Sequence, residues 1–439
     1  MFKQKRVVIW TAILITALSA LLIGRLSVSS TAGEPYEKIK IFAEVLTLIK
    51  KNYVDEIKDD KDLIYGAIKG MINSLDPHSS FMPPEAFKEM QIDTRGEFGG
   101  LGIQIGIKDN LLTVIAPIED TPAYKAGIKA GDKIMKINGE STRNMSLNDA
   151  VSKLRGHKGT SVTITIMREE FEGPRDFTMV RDIIKIHSIK SKVIDEKIGY
   201  IKLTQFQEKT DEELEKALES LNKEKINSLI LDLRNNPGGL LNTAIEVTNQ
   251  FLPTGKLVVY IKGRNEERID YNTTDGKQKY EYPMIVLVNE GSASASEIVA
   301  GALQDWQKAV ILGTPTFGKG SVQTVIPLSD GSGLRLTTAR YYTPKGRSIQ
   351  AKGIEPDIVI KSKTKKGKEI KGHPIIREKD LEKHLENEQI KDNKEIDKDK
   401  EDVTGEEPVE VSEQEDIQLQ RAIDILKTWK ILKELPKAS

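Results

Sequence analysis

Between residues 199 and 312, strand-like apolar runs alternate with helical ones, and this alternation restricts the chain more than any other feature. A strand at 199–203 precedes a helix at 211–221. A second strand at 228–233 passes through Asn235-Asn236-Pro237-Gly238-Gly239 into a helix at 240–251. A third at 284–288 passes through Asn289-Glu290-Gly291 into a helix at 292–304, and an apolar run at 309–312 comes next. Such alternation predicts an α/β layer with a mostly parallel sheet. Functional groups in that architecture sit on turns after the strand C-termini. The second and third turns are conspicuous, and both feed helix N-termini.

The flanks read differently. From about 92 to 182, short β-like runs (102–107, 111–115, 133–137, 162–167) alternate with turn signals such as Asp109-Asn110 and Asn138-Gly139. One helix, 146–154, lies among them with Ser146 as its expected N-cap. Ahead of this region, Ile39, Phe42, Ala43, Leu46 and Ile49 recur at helical spacing over 36–51. A second helix over 63–75 stops at Asp76-Pro77, because the residue before proline disfavours the helical region.

At the start of the chain, Lys3, Lys5 and Arg6 precede an apolar run from Val7 to Ile23. A basic flank before such a run keeps the N-terminus cytoplasmic and sends the downstream chain outward. Ser30-Thr31-Ala32-Gly33 offers small residues for signal cleavage. The expectation is a protein of the cell envelope, on its extracytoplasmic face, membrane-anchored or secreted. After residue 360 the chain becomes rich in Lys, Glu and Asp, too poor in apolar residues for a core, and reads as a solvated linker. A last amphipathic helix, 417–435, would bury Leu419, Ala422, Ile423, Leu426, Trp429 and Leu432.

The domains expected are therefore a signal peptide or membrane anchor (1–32), a helical segment (33–91), a β-rich insertion (92–183) and an α/β core (184–362). A charged linker (363–416) and the terminal helix (417–439) complete the chain. The terminal helices suggest a homodimer. The 439 residues carry 66 Lys+Arg against 66 Asp+Glu, which argues against a nucleic-acid coat. They include no cysteine, so thiol catalysis, cysteine-zinc sites and iron–sulfur clusters are excluded. No metal-ligand cluster stands out, and no cofactor is expected.

The third turn continues as Ser292-Ala293-Ser294-Ala295-Ser296-Glu297. A serine there sits at the positive end of a helix dipole beside free backbone N–H groups, which suits a nucleophile whose adduct becomes an oxyanion. An N-cap in a small-residue packing run would look the same. None of the five histidines lies in a catalytic-looking turn. A better base is Lys319 in Thr316-Phe317-Gly318-Lys319-Gly320, because desolvation lowers a lysine pKa and neutral lysine accepts a proton. Residues 313–319 also match the opening of a phosphate-binding loop. However, Gly320 replaces the magnesium-binding Ser or Thr, and 322–327 reads as strand where a helix should come next.

These residues, with several further blocks, resemble the carboxy-terminal processing proteases, tail-specific Ser/Lys peptidases with a PDZ domain. The blocks are Gly70 to Ser79, Phe98 to Ile103, Asp232 to Gly239, Glu290 to Glu297, Phe317 to Gln323, Tyr341-Tyr342-Thr343-Pro344 and Gly353-Ile354-Glu355-Pro356-Asp357, in family order. The resemblance implies a crotonase/ClpP-like α/β protease core of layered sheet and helices, an inserted α+β PDZ domain, and helical N- and C-terminal segments. It makes Ser294 the nucleophile, Lys319 the general base and Gln323 the residue orienting the lysine. The backbone N–H groups of Ala295 and of Gly238 or Gly239 become the oxyanion hole, and Asp305 matches an acidic position implicated in some members.

The resemblance also makes 92–182 the PDZ domain. Gly100, Leu101, Gly102 and Ile103 would present N–H groups to a terminal carboxylate while the tail adds as a strand. The helix after Ser146 would form the other wall, with Leu147, Ala150, Val151 and Leu154 available, favouring substrates with an apolar C-terminus. Arg155 would pair with the carboxylate or couple the domain to the core. Two readings compete with a serine endopeptidase: a membrane-tethered PDZ adaptor whose protease-like domain is inert, and a crotonase-like acyl-thioester enzyme.

Overall fold

The computed structural model describes residues 33–195, 197–265, 267–274, 281–361, 376–389 and 416–434. The apolar N-terminal run and most of 363–416 lie outside them. No helix among the described residues is long and apolar enough to cross a membrane. The chain forms two units, 1–71 and 72–439.

In the first unit, α1 (Gly33–Asn52) leaves Ile39, Ile41, Phe42, Val45 and Leu48 exposed. The turn after it is held by Lys50 on Asp60 at 2.8 Å and by Asp59, which accepts from the Lys61 N–H at the start of α2 (Lys61–Asn73).

The second unit opens on a proline turn that leads into β1 (Ser80–Met82) and α3 (Pro84–Arg95). The β-rich insertion comes next. β2 (Glu97–Gly100) is its first strand, and it continues through β3 (Ile103–Lys108), β4 (Leu111–Pro117), the short α4 (Pro122–Lys125), β5 (Lys133–Ile137) and β6 (Glu140–Ser141). α5 (Leu147–Leu154), β7 (Ser161–Met167), β8 (Arg175–Val180) and β9 (Asp182–Lys185) complete it. β2 and β9 pair antiparallel, so the insertion leaves the chain and rejoins it at one place. Its sheet runs β3-β4-β5-β7-β8 over an aliphatic core of Leu112, Val114, Ile134, Ile164 and Ile166. Ser146 caps α5 as expected, its Oγ accepting from the Asp149 N–H at 3.1 Å.

The core sheet begins with β10 (Ile189–Ile194) antiparallel to β11 (Ile198–Leu203). Then come α6 (Thr210–Lys223), β12 (Ser228–Asp232) and α7 (Leu241–Asn249). A second sheet starts with β13 (Leu257–Gly263) and β14 (Arg268–Asn272). The chain returns to the core with β15 (Met284–Val288), α8 (Ala295–Asp305) and β16 (Val310–Gly313). β17 (Ser321–Pro327) and β18 (Gly333–Tyr342) join β1, β13 and β14, and β19 (Ile358–Val359) ends the core sheet. The core order is β10-β11-β12-β15-β16-β19, parallel from β11 onward, as the alternation predicts.

Both faces of this sheet are covered at its centre, where β15 is apolar throughout and β12 nearly so, and both are fully buried. Leu229, Leu231, Val286 and Val288 point toward α6, α7 and α8, whereas Ile230, Ile285 and Leu287 point toward α9 (Ile417–Glu434). Each such side chain contributes about 1.5–3 kcal/mol relative to an exposed one. α9 buries Leu419, Ala422, Ile423 and Leu426, but Trp429 and Leu432 stay exposed because the helix runs past the sheet.

The stretch expected as a charged linker is not uniform. Residues 376–389 pack into the core with Glu378 fully buried, and Asp416 anchors the start of α9. Side-chain pairing carries that burial in place of apolar surface, so composition gave no sign of it.

Candidate active site

The turns after β12 and β15 lie side by side at the end of the core sheet. Asn236 ties them together: its O accepts from the Ala293 N–H at 3.0 Å and the Ser296 hydroxyl at 2.9 Å, while its Nδ2 donates to Leu203 O. The three serines of the second turn thereby differ. Ser292 Oγ is spent on Leu233 O and Ser296 Oγ on Asn236 O, but the Ser294 hydroxyl donates to no carbonyl among the described residues and meets the Tyr341 hydroxyl. Burial pushes Tyr341 up to about 12, so it stays a neutral hydroxyl at the site.

Ser294 is the N-cap of α8 with φ +54°, a left-handed conformation that is strained for a serine. Close approach from the neighbouring turn accompanies it. A Cβ on Gly238 would stand 2.9 Å from Ser294 Cβ and 3.0 Å from Ala295 N, and one on Gly239 would meet Phe206 O at 2.1 Å. Only glycines fit there. The N–H groups of Gly239 and Ala295 have no partner among the described residues, whereas the Gly238 N–H donates to Asn236 Oδ1 at 2.9 Å. Of the two expected glycine donors, Gly239 is therefore the free one.

Glu297, three residues into α8, is fully buried and gathers the parts. Its Oε2 accepts from the Ser294 N–H at 2.8 Å and the Lys319 N–H at 3.0 Å, and its Oε1 from Thr316 Oγ1 at 2.5 Å and the Gly318 N–H at 2.7 Å. Because both backbones point at one carboxylate oxygen, the serine and lysine turns are neighbours. Burial pushes the Glu297 carboxyl up to about 7, against the pull of those four donors. Sequence reasoning passed over this residue; the only signal was a capping-type glutamate three residues after the serine.

Lys319 is largely buried, and its ammonium has no hydrogen bond or ion pair among the described residues. Burial holds its pKa below the usual lysine value; Arg335 lowers it further, while Glu378, Glu297 and Asp76 pull the other way. No hydrogen bond joins Gln323 to Lys319 among the described residues; the Gln323 Nε2 donates to Ser321 Oγ at 2.9 Å and Thr337 Oγ1 at 3.4 Å. Lys319 itself precedes β17, and the pairing of β17 with β18 shifts register between Val322 and Gln323. Asp305 lies at the far end of α8, about 16 Å along the helix from Ser294. There it accepts from Arg347 and the Lys345 N–H, a structural role.

At the PDZ domain, β3 is an edge strand, with α5 packed beside it. The N–H groups of Leu101 and Gly102 have no partner among the described residues, while Gly102 takes φ +76°. Ala150 and Leu154 are spent on the domain core, so Leu147 and Val151 are the apolar groups of α5 left toward the surface; Gly100 and Ile103 complete the ledge. Arg155 is already engaged, ion-paired with Glu89 of α3 and stacked 4.5 Å over the Phe98 ring.

Comparison with known proteins places these turns in a family. Residues 197–360 match the model for peptidase family S41, residues 113–168 a PDZ domain model and residues 24–86 the N-terminal domain of the activating protease CtpB. A carboxy-terminal-processing protease of Bartonella bacilliformis is 44% identical over 393 residues, covering 88% of this chain and 90% of that one. The chain belongs to the carboxy-terminal processing proteases of family S41. The protease is also 38% identical over 358 residues to CtpA of Bacillus subtilis, covering 80% of this chain and 76% of the relative. Among solved structures it is similar to the photosystem II D1 C-terminal processing protease at 31% identity, with a TM-score of 0.43, covering 73% of this chain and 92% of that one. Family membership and the PDZ domain together make peptides the substrate class.

Proposed function

We propose that the protein is a serine endopeptidase of the cell envelope in which Ser294 attacks the peptide carbonyl and Lys319 is the general base. The observation that carries this reading is the shared Glu297 carboxylate. It brings together the one serine of its turn whose hydroxyl is not tied to a carbonyl and a buried lysine without an ion pair among the described residues. Neutral Lys319 takes the Ser294 proton as the tetrahedral adduct forms, then gives it to the leaving amine. The N–H groups of Gly239 and Ala295 stabilise the oxyanion. Water then resolves the acyl-enzyme by the same route. In this reading Gln323 acts at one remove, by fixing Ser321 and Thr337 beside the lysine turn.

Substrate tails would add to the β3 edge, with the terminal carboxylate on the N–H groups of Leu101 and Gly102 and an apolar side chain against Ile103 and Val151. Export is supported by the basic-then-apolar start of the chain, and homodimer formation by the exposed apolar residues of α1. The test incubates wild type and Ser294→Ala, each beginning at Gly33, with an unfolded protein ending in an apolar tail, and follows fragments by mass spectrometry. Cleavage by wild type alone is expected. Equal cleavage by both removes Ser294, and cleavage by neither returns the reading to a PDZ adaptor.

A further inference from the structure

The chain beyond the core sheet supplies a buried acid to the lysine turn. Glu378 donates its N–H to Phe317 O at 3.2 Å, on one side of Lys319. On the other side, the Gly320 N–H donates to Gln350 Oε1 at 3.0 Å, and Gln350 Nε2 donates to Glu378 Oε1 at 2.8 Å. The lysine turn is thus gripped two residues before Lys319 and just after it, directly or through one amide, by the same residue. The second carboxylate oxygen meets His78 Nε2 at 2.7 Å, in the proline turn before β1, and the His78 N–H is fixed by Asp76 Oδ1 at 2.8 Å. Asn387 closes the cluster, its Nδ2 donating to Gln350 O at 2.6 Å.

Glu378 is 0% exposed and His78 13%, so the carboxylate is shielded from bulk solvent. A buried acid is costly unless it is paired, and an amide would satisfy the Gln350 contact without that cost. What an amide cannot supply is a negative charge beside Lys319. We propose that Glu378, oriented by His78 and Gln350, is a positioning residue for Lys319 that fixes its turn and keeps its amine basic enough to accept the serine proton.

The charge balance around the lysine supports this. Its charged neighbours are Glu297 on α8, Asp76 in the proline turn, Arg335 on β18 and Glu378, which His78 in turn contacts. Arg335 and burial favour the neutral amine, while Glu378, Glu297 and Asp76 favour the ammonium, Glu378 being the strongest of the three. A base whose conjugate acid is too strong takes up a proton poorly, so the acids offset the burial.

The inference rests on Lys319 being the base, and its test separates the two. Ser294 labelling by a fluorophosphonate and peptide turnover are each followed against pH for wild type, Lys319→Arg and Glu378→Gln. Residual turnover in Lys319→Arg defeats the function reading whatever Glu378 does. With Lys319 established, Glu378→Gln is expected to move the acidic limb of both profiles to lower pH, by about half a unit or more, with KM unchanged. The variant therefore keeps a larger share of its maximal rate at acidic pH than wild type keeps of its own. A limb that stays in place, at any overall rate, overturns the proposal. Should Glu378→Gln not fold, Glu378→Asp keeps the charge but withdraws it by one methylene. A severalfold fall in kcat with KM unchanged and a smaller shift in the same direction is then expected, and wild-type kcat with an unmoved limb overturns the proposal.

Discussion

The PDZ domain and the peptidase domain differ in where they place polar groups relative to their sites. In the PDZ domain the core is aliphatic, the ion pairs Lys129–Glu170 and Lys153–Glu140 lie in solvent, and the buried Asp132 is held by Arg168 in the turn before β5 rather than at the ledge. Its binding ledge is made of backbone N–H groups at a sheet edge. In the peptidase domain, Asp232, Glu297 and Glu378 are each fully buried, and each touches a turn of the site. Binding a tail needs an open edge and a gap beside it, which a twisted sheet and one helix supply. Catalysis needs turns held in conformations that the backbone alone would not keep, so charge is placed inside and saturated with donors.

The largest effect that would sharpen this comparison is at Lys319. Lys319→Arg keeps the positive charge but cannot give up its proton, so turnover should fall by about 10⁴-fold or more. Because burial lowers the lysine pKa, wild-type activity should rise with pH through a limb lying below that of an exposed lysine. A limb that follows an unperturbed carboxylate would break the assignment.

Next comes Arg234, whose guanidinium bridges Asp232 and Asp416, with Tyr200 also donating to Asp232. Arg234→Ala strands two carboxylates, one of them fully buried, and should destabilise the protein by about 3–5 kcal/mol, measurable in urea denaturation. A loss no larger than that of a surface pair would mean that buried charge in the peptidase is held no more tightly than exposed charge in the PDZ domain. The smallest effect belongs to the ledge. Val151→Asp should raise KM for a substrate with an apolar tail about tenfold, leaving kcat on a short untailed peptide unchanged. An equal effect on both peptides would mean that the two regions are not separable.

The same contrast separates what the sequence made legible from what it did not. Strand–helix alternation, the Ser146 cap and the serine turn are local patterns, each decided by spacing or by one residue's chemistry. The pairings of Glu378 with His78 and of Arg234 with Asp416 join residues far apart in the chain, and neither leaves a periodic trace. The Gly238 N–H was lost to the expected oxyanion hole through a bond to its neighbour Asn236, a matter of side-chain rotation that residue types do not reveal.

The left-handed backbone of Ser294 has a consequence for how such a chain changes over generations. A serine held at φ +54° gives up about 1–2 kcal/mol relative to a relaxed one. Glycine at that position would recover part of it while destroying the nucleophile. Thermodynamic improvement and function thus pull in opposite directions at a single codon. A lineage released from the need to cut peptides should lose its serine there early, and gain a sturdier fold in doing so.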